Sequence, residues 1–265
     1  MQTTTNSPFT SVIGLGQLKT EFNPRGRGRW VSVIVGLIFL AGGPVLALVG
    51  AFMGYVTYQE RGLVKVSGAV IPWLVMAAIA FVLGVAILFS AWRNWTLAAA
   101  LYENGVALNT RKGVQQVAWA DVGSVWQAVT KHYTNGVYTG TTHIYTVQTN
   151  TGEKLIFNDS LGKNVEELGR AIQQGTASAL FPRYWQALQN GQKLNFGPLA
   201  LDKTNLYSGK KELPWSQIPS IKIEKGNISI KKDGKGWFAW AAASVPQIPN
   251  FFIFYEIVSR LTKIE

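Results

Sequence analysis

Residues 31–56 read VSVIVGLIFLAGGPVLALVGAFMGYV, and residues 69–92 read AVIPWLVMAAIAFVLGVAILFSAW. No charged residue falls between Arg29 and Glu60, or between Lys65 and Arg93. Each gap exceeds the roughly 20 residues that a helix needs to cross the hydrocarbon of a bilayer. The two stretches therefore read as transmembrane helices, with Pro72 in the first turn of the second, where its missing N–H does little harm. Their flanks match bilayer interfaces: Trp30 stands beside Arg29, Trp92 and Trp95 beside Arg93, and Tyr55, Tyr58 and Trp73 mark the other end. Gly42-Gly43-Pro44 predicts a kink in the first span, explained by a neighbouring helix packed on it or by a broken, substrate-binding helix. No charge inside the span accompanies the second explanation. Gly50-Ala-Phe-Met-Gly54 is a GxxxG, and Ala80-Phe-Val-Leu-Gly84 places two small residues at the same spacing. Both let helices approach closely, within one hairpin or, alternatively, across a homodimer.

Outward from the spans, residues 1–30 form a polar basic tail in which Lys19, Arg25, Arg27 and Arg29 face only Glu21. The connector 57–68 carries Arg61 and Lys65 against Glu60. The positive-inside rule puts the tail in the cytoplasm, and two spans return the chain there, so both termini are expected to be cytoplasmic. The first apolar run starts after thirty polar residues and is too long for the core of a cleavable signal peptide.

The whole chain has 265 residues, 48% of them hydrophobic and 15% charged, which is charge-poor for a water-soluble protein. Its formal charge is +11. With no cysteine, disulfides, thiolate metal sites and a cysteine nucleophile are excluded, and two histidines do not make a histidine-rich metal centre.

Beyond Arg93 the pattern changes to short alternating strands punctuated by Gly and Asn, and one offset repeats. Gly113, Val117, Trp119, Val122 and Val125 recur 96 positions later as Gly209, Leu213, Trp215, Ile218 and Ile221. Each set reads as a turn, a strand with alternate residues in a core, and a tryptophan where the chain bends. Both copies end in an amphipathic helix. In the first, Asn164 with Glu167 makes a capping-box-like start; in the second, Asn250 caps a stripe of Phe251, Phe254, Tyr255, Val258 and Leu261. The first helix is expected to run on through residues 165–189, with Gly175 and Pro182 as interruptions and Gly191 at its end. Pro246 and Pro249 divide the apolar run 236–258 into a strand and a short helix rather than a third span. The expected fold class is a membrane α-helical hairpin plus an α+β cytoplasmic region. That region would comprise tandem pleckstrin-homology-like bent β-sandwiches, over 97–190 and 193–265, each closed by a C-terminal helix.

On Tyr102-Glu-Asn-Gly105, Val117-Ala-Trp119, Phe196-Gly-Pro-Leu199, Leu213-Pro-Trp215-Ser-Gln-Ile218 and Ile248-Pro-Asn250, the chain resembles an uncharacterised family of bacterial membrane proteins. That family has two N-terminal spans followed by pleckstrin-homology-like repeats. The resemblance implies a membrane-anchored binding domain in a bacterial plasma membrane and supplies no catalytic residues.

No hydrolase, P-loop, zinc-protease or dinucleotide motif is present, so no enzyme activity, cofactor or metal is expected. His132 and His143, eleven residues apart around the Asn135-Gly136 turn, could sit on paired strands and face each other, as exposed hairpin residues or as two metal ligands lacking a third. The second copy is rich in lysine: Lys210, Lys211, Lys222, Lys225, Lys231, Lys232 and Lys235, with Trp237 beside the last. As a set, Lys210, Lys211, Lys231, Lys232, Lys235 and Trp237 are candidates for holding anionic membrane lipid or a protein partner, each lysine contributing on the order of 1 kcal/mol near a charged surface. The alternative is that the lysines only keep strand edges soluble. Nucleic acid is disfavoured, because the aromatics follow core periodicity. The partners expected are membrane lipids and a protein or second copy, with a scaffold subunit assembling through the spans as the other reading.

Overall fold

The structure, a computed structural model, describes residues 7–23, 26–162, 164–234 and 239–265. Two units emerge: residues 24–97, and a β-rich unit comprising residues 1–23 and 98–265.

In the first unit, α1 (Gly26–Arg61) and α2 (Leu63–Arg93) are separated only by Gly62, at φ 75°. The connector 57–68 is thus almost wholly helical, since nothing in it but Gly62 leaves the right-handed region. Pro72 consequently lies inside α2, nine residues past its start at Leu63, and not in its first turn. It lacks the N–H that would reach the Gly68 carbonyl. At 36 and 31 residues, the helices are about 54 and 46 Å long, more than the ~30 Å hydrocarbon layer. Their most apolar windows have mean hydropathies of 2.5 and 2.7, yet only 17% and 11% of those windows are buried. The core helix of a water-soluble protein would be mostly buried.

What holds the pair together is the smallness of the facing residues. Among the described side chains, Gly36, Gly43, Gly50 and Gly54 are buried in α1, and Ala77, Ala80 and Gly84 in α2. A Cβ added at Gly50 would lie 2.7 Å from Trp73 Cβ, one at Gly54 2.5 Å from Val70 Cγ2, and one at Gly84 2.5 Å from the Leu40 nitrogen. The pairing is centred on Gly62: Gly54 and Val70 stand eight residues either side of it, Leu40 and Gly84 twenty-two. Gly36, Gly43 and Gly50 recur every seven residues, the seam of a left-handed helix pair. At Gly43 an added Cβ would be 3.0 Å from the Ala77 carbonyl oxygen, whereas at Gly42 it would meet nothing within 4 Å among the described residues. α1 continues through Pro44. Gly84→Leu is therefore expected to cost about 1–3 kcal/mol or more by forcing the helices apart. Gly42→Leu should stay within about 0.5 kcal/mol. Thermal unfolding of the intact chain in detergent, followed by circular dichroism, compares them.

The β-rich unit has two halves with the same order of elements. In the first, β1 (Leu18–Phe22), β2 (Ala98–Tyr102), β3 (Gly105–Thr110) and β4 (Gly113–Ala118) form one antiparallel sheet in that order. A 3-10 turn beginning at Trp119 leads to a second sheet of β5 (Val122–Thr134), β6 (Val137–Thr149) and β7 (Lys154–Asn158), then to α3 (Val165–Gln189). In the second half, β8 (Leu194–Phe196), β9 (Leu199–Leu201), β10 (Asn205–Ser208) and β11 (Lys211–Pro214) form a four-stranded sheet. A 3-10 turn beginning at Trp215 leads to β12 (Ile221–Glu224), β13 (Asn227–Ile230) and β14 (Ala241–Ser244), then to α4 (Phe251–Leu261). The two tryptophans do the same work. Trp119 Nε1 donates to the Glu103 carbonyl at 3.0 Å and Trp215 Nε1 to the Asp202 carbonyl at 2.9 Å, each pinning the bend to a turn of its own sheet.

The N-terminal tail is not free-standing. β1 pairs with β2 across the chain interval that holds both long helices, with Phe22 opposite Ala99. Phe9 and Leu15 are buried with Ala98, Ala100, Tyr102 and Ala107. The first half therefore begins before the helices, not at residue 97.

α3 runs unbroken through Gly175 and Pro182 and ends before Gly191, at φ 75°. Gly175 is needed for contact: a Cβ there would lie 2.5 Å from Trp119 Cε2. Leu168 and Ile172 are fully buried near the start of α3, whereas Leu180 and Leu188 join the core of the second half with Phe196, Leu206, Ile228 and Phe254. One helix thus serves both halves.

Candidate functional site

At one end of the helical unit, the start of α1 and the end of α2 meet: Trp30 and Trp95 are edge to face at 5.8 Å, and Arg29 Nη2 donates to the Leu97 carbonyl at 3.1 Å. Aromatic rings and cations gather there. Tyr55 and Tyr58 lie exposed toward the other end, near Glu60 and Arg61. The β-rich unit is basic where the chain leaves it for the helices. Phe22 pairs with Ala99, and Ala98 with Asn109, so the β3–β4 turn carrying Arg111 and Lys112 lies at that same end of the sheet.

The lysine candidates do not form one cluster. Lys210 lies in the β10–β11 turn and Lys211 opens β11 opposite Ser208, at the hairpin end that corresponds to Arg111 and Lys112 in the first half. Lys231 and Lys232 follow β13, and the Asp233 N–H donating to the Gln217 carbonyl at 2.9 Å places that loop beside the Trp215 bend. That is the other end of β11. Lys235 and Trp237 lie outside the described residues. Lys222 and Lys225 are occupied, at 2.6 and 3.5 Å from the Glu224 carboxylate. The hydrogen bond from Lys222 holds Glu224 below the usual carboxylate range and raises the Lys222 ammonium in turn. Lys210, Lys211, Lys231 and Lys232 make no ion pair among the described residues.

Among the described residues of this half, the polar network around Asp202 is structural. Asp202 accepts from the Thr204 and Asn205 N–H groups at 2.8 Å each, the Thr204 hydroxyl at 2.9 Å and the Tyr207 hydroxyl at 2.6 Å. Burial alone would raise its pKa, but these donors, Tyr207 foremost, outweigh it and hold the carboxyl below its ordinary 3.8. The stabilisation is therefore present above pH 3.8 and lost as pH falls through the lower folded value. Asp202→Asn is expected to flatten the stability profile in that acid window, measured as denaturation midpoint against pH.

His132 and His143 sit on paired strands but do not face each other. His132 is opposite Gly140, and His143 opposite Val129. His132 Nε2 lies 2.7 Å from Thr142 Oγ1, while Asp159 takes both the His143 N–H, at 2.7 Å, and Nδ1, at 3.1 Å. Among the described residues no three His, Cys, Asp or Glu side chains are grouped as metal ligands would be. An open groove of about 580 Å³ runs between the β2–β3 turn and α3, with Trp119 on one wall and Ala171, Gly175 and Ser178 on the other. A shallower cleft of about 310 Å³ at the seam of the halves is lined by Leu180, Arg183, Tyr184 and Asn150.

Asn250 was expected to cap α4, but its side chain makes no cap bond. It is buried and clasps the halves: Oδ1 accepts from the Val125 N–H at 2.9 Å, and Nδ2 donates to the Gly123 carbonyl at 3.0 Å and the Tyr184 hydroxyl at 3.1 Å. Asn164 likewise makes no side-chain cap bond. β1 was also missed, although a signal existed: Phe22-Asn23-Pro24 repeats as Phe196-Gly197-Pro198. Phe22 is opposite Ala99 as Phe196 is opposite Leu199, so the helices stand where the second half has a tight turn.

Residues 6–264 match the model of a family described as Family of unknown function (DUF6585). No curated protein matches the chain.

Proposed function

The chain belongs to this family of unknown function, and from its architecture we propose that it is a two-pass membrane protein. It presents two pleckstrin-homology-like binding units at the cytoplasmic face, for anionic lipid or a protein partner, and acts by binding rather than catalysis. The observation that carries this reading is the placement of two long, apolar, outward-facing helices between adjacent strands. Because Phe22 and Ala99 are paired, the chain leaves and re-enters the same sheet, so any membrane crossings between them must be even in number. Four strands, a tryptophan bend, three strands and a helix, occurring twice, support the pleckstrin-homology-like reading of each half. Arg111 and Lys112, at the sheet end where the chain departs, and the basic residues before α1 support a cytoplasmic orientation. Lys210, in the equivalent turn of the second half, and Lys211, at the start of β11 beside it, are the lysines best suited to headgroup phosphates. Assembly through the spans finds less support, since Gly50, Gly54 and Gly84 are used within the hairpin.

The test is capture of fluorescent vesicles by the intact chain held in nanodiscs on beads. Vesicles containing phosphatidylglycerol should be retained over pure phosphatidylcholine, and Lys210→Gln with Lys211→Gln should reduce the difference. Equal retention in all cases removes lipid as the ligand.

A further inference from the structure

The halves differ most in the hairpin that opens the three-stranded sheet. In the second half, β12 and β13 have four residues each and close over Lys225-Gly226, at φ 51° and 77°. In the first, β5 and β6 have 13 residues each and close over Asn135-Gly136, at φ 51° and 80°. The turns are alike, so the difference is length. β7 supports β6 only over Ile144 to Gln148. Beyond it, the pairs from Val129–His143 to Thr134–Val137 continue as an isolated two-stranded ribbon, about 20 Å long.

The ribbon adds nothing to the core. Val129, Tyr133, Val137 and Tyr138 are 47%, 61%, 67% and 55% exposed. An unsupported ribbon is marginal in water, and ordering each residue costs about 1–2 kcal/mol. This one is nevertheless braced: Tyr133 and Tyr138 meet edge to face at 5.9 Å, the Tyr138 and Thr141 hydroxyls are 2.7 Å apart, and His132 reaches Thr142. Its charge is one-sided. From residue 122 to 152 there is no acidic side chain, and Lys131 is the sole full cation; Asp159, at the ribbon's base, is taken up by His143.

We propose that the β5–β6 ribbon is a membrane contact in its own right, its Tyr133–Val137–Tyr138 tip seated at the headgroup boundary of an anionic bilayer and Lys131 on the lipid phosphates. Tyrosine favours that boundary because the ring is apolar and the hydroxyl wet, and a lysine above it keeps its ammonium among the headgroups. Absence of acidic residues removes the repulsion that an anionic surface would impose. This inference rests on the chain being a membrane protein, and the experiment separates the two.

Because the chain has no cysteine, single cysteines at Leu48, Val137 and Lys225 of the intact protein carry an environment-sensitive fluorophore in proteoliposomes. Leu48 reports the span, Val137 the ribbon tip and Lys225 the matching turn of the second half. With phosphatidylglycerol present, the Val137 label should emit at shorter wavelength and be quenched several-fold less by aqueous iodide than the Lys225 label. Pure phosphatidylcholine or Lys131→Gln should weaken that protection. An aqueous Val137 label beside an apolar Leu48 label overturns the inference alone, whereas an aqueous Leu48 label overturns the membrane reading itself. Protection equal in both lipids, or lost on dilution to one protein per vesicle, also overturns it, the latter in favour of a second copy.

Discussion

Replacing residues 23–98 with Asn-Gly is expected to yield a chain that stays in solution without detergent and keeps its β-rich fold. Phe22 and Ala99 are register partners in adjacent antiparallel strands, so two residues suffice to join them. The second half already does this, with Gly197-Pro198 between the paired Phe196 and Leu199. Of the buried set Phe9, Leu15, Ala98, Ala100, Tyr102 and Ala107 only Ala98, the first residue of β2, is removed, and the Gly of the new turn takes its place; the other strands of both sheets are untouched. What is removed is the exposed apolar surface of α1 and α2. The shortened chain should run as a discrete species on gel filtration without detergent and unfold in one cooperative thermal transition. Aggregation, or a non-cooperative melt, would mean that β1 and β2 need the helices in order to pair.

Asn250→Ala carries the second large effect. Asn250 is 5% exposed, and its backbone is left-handed, at φ 52° and ψ 43°. Its own N–H donates to the Val125 carbonyl at 2.8 Å, and its amide side chain satisfies the Val125 N–H and the Gly123 carbonyl. Truncation leaves both of those groups unpaired at the seam, at about 1–3 kcal/mol each, and puts a Cβ without a compensating side-chain bond into a left-handed conformation, at about 1–2 kcal/mol. A total of about 3–8 kcal/mol is a large share of the ~5–15 kcal/mol that holds a domain folded. Asn250→Gly relieves the backbone cost but not the orphaned groups, so it should fall between wild type and alanine. Denaturant midpoints of the three proteins decide it. An alanine variant as stable as wild type would show that α3 alone joins the halves.

Asn250 also shows where reading the sequence reaches its limit. Its position before an amphipathic stripe was legible, because helix starts favour asparagine. Its partners on β5 lie 125 and 127 residues away, and no local pattern encodes them. The two long apolar helices were legible because each uninterrupted apolar run is too long for a strand. Their full lengths were not, since charged residues at helix ends look the same whether the helix continues or stops. Lys65 therefore hides the first two turns of α2, and Pro72 reads as a first-turn residue although it lies nine residues in. The tryptophans at 119 and 215 announced two similar bends, and the structure gives both the same hydrogen-bonding task. Lys210 and Lys231 looked like one cluster because they are close in sequence and alike in charge, but β11 separates their turns. The N-terminal strand was hidden by its polar composition: in Leu18-Lys-Thr-Glu-Phe22 only Phe22 is buried.

The central claim is that the chain crosses a bilayer twice and keeps its β-rich unit on one side. Single cysteines at Ser11, Gln59 and Lys112, labelled with a membrane-impermeant maleimide in sealed vesicles of known orientation, test it most directly. Ser11 and Lys112 should react from the same side and Gln59 only from the opposite one. Reaction of all three from one side would contradict the account.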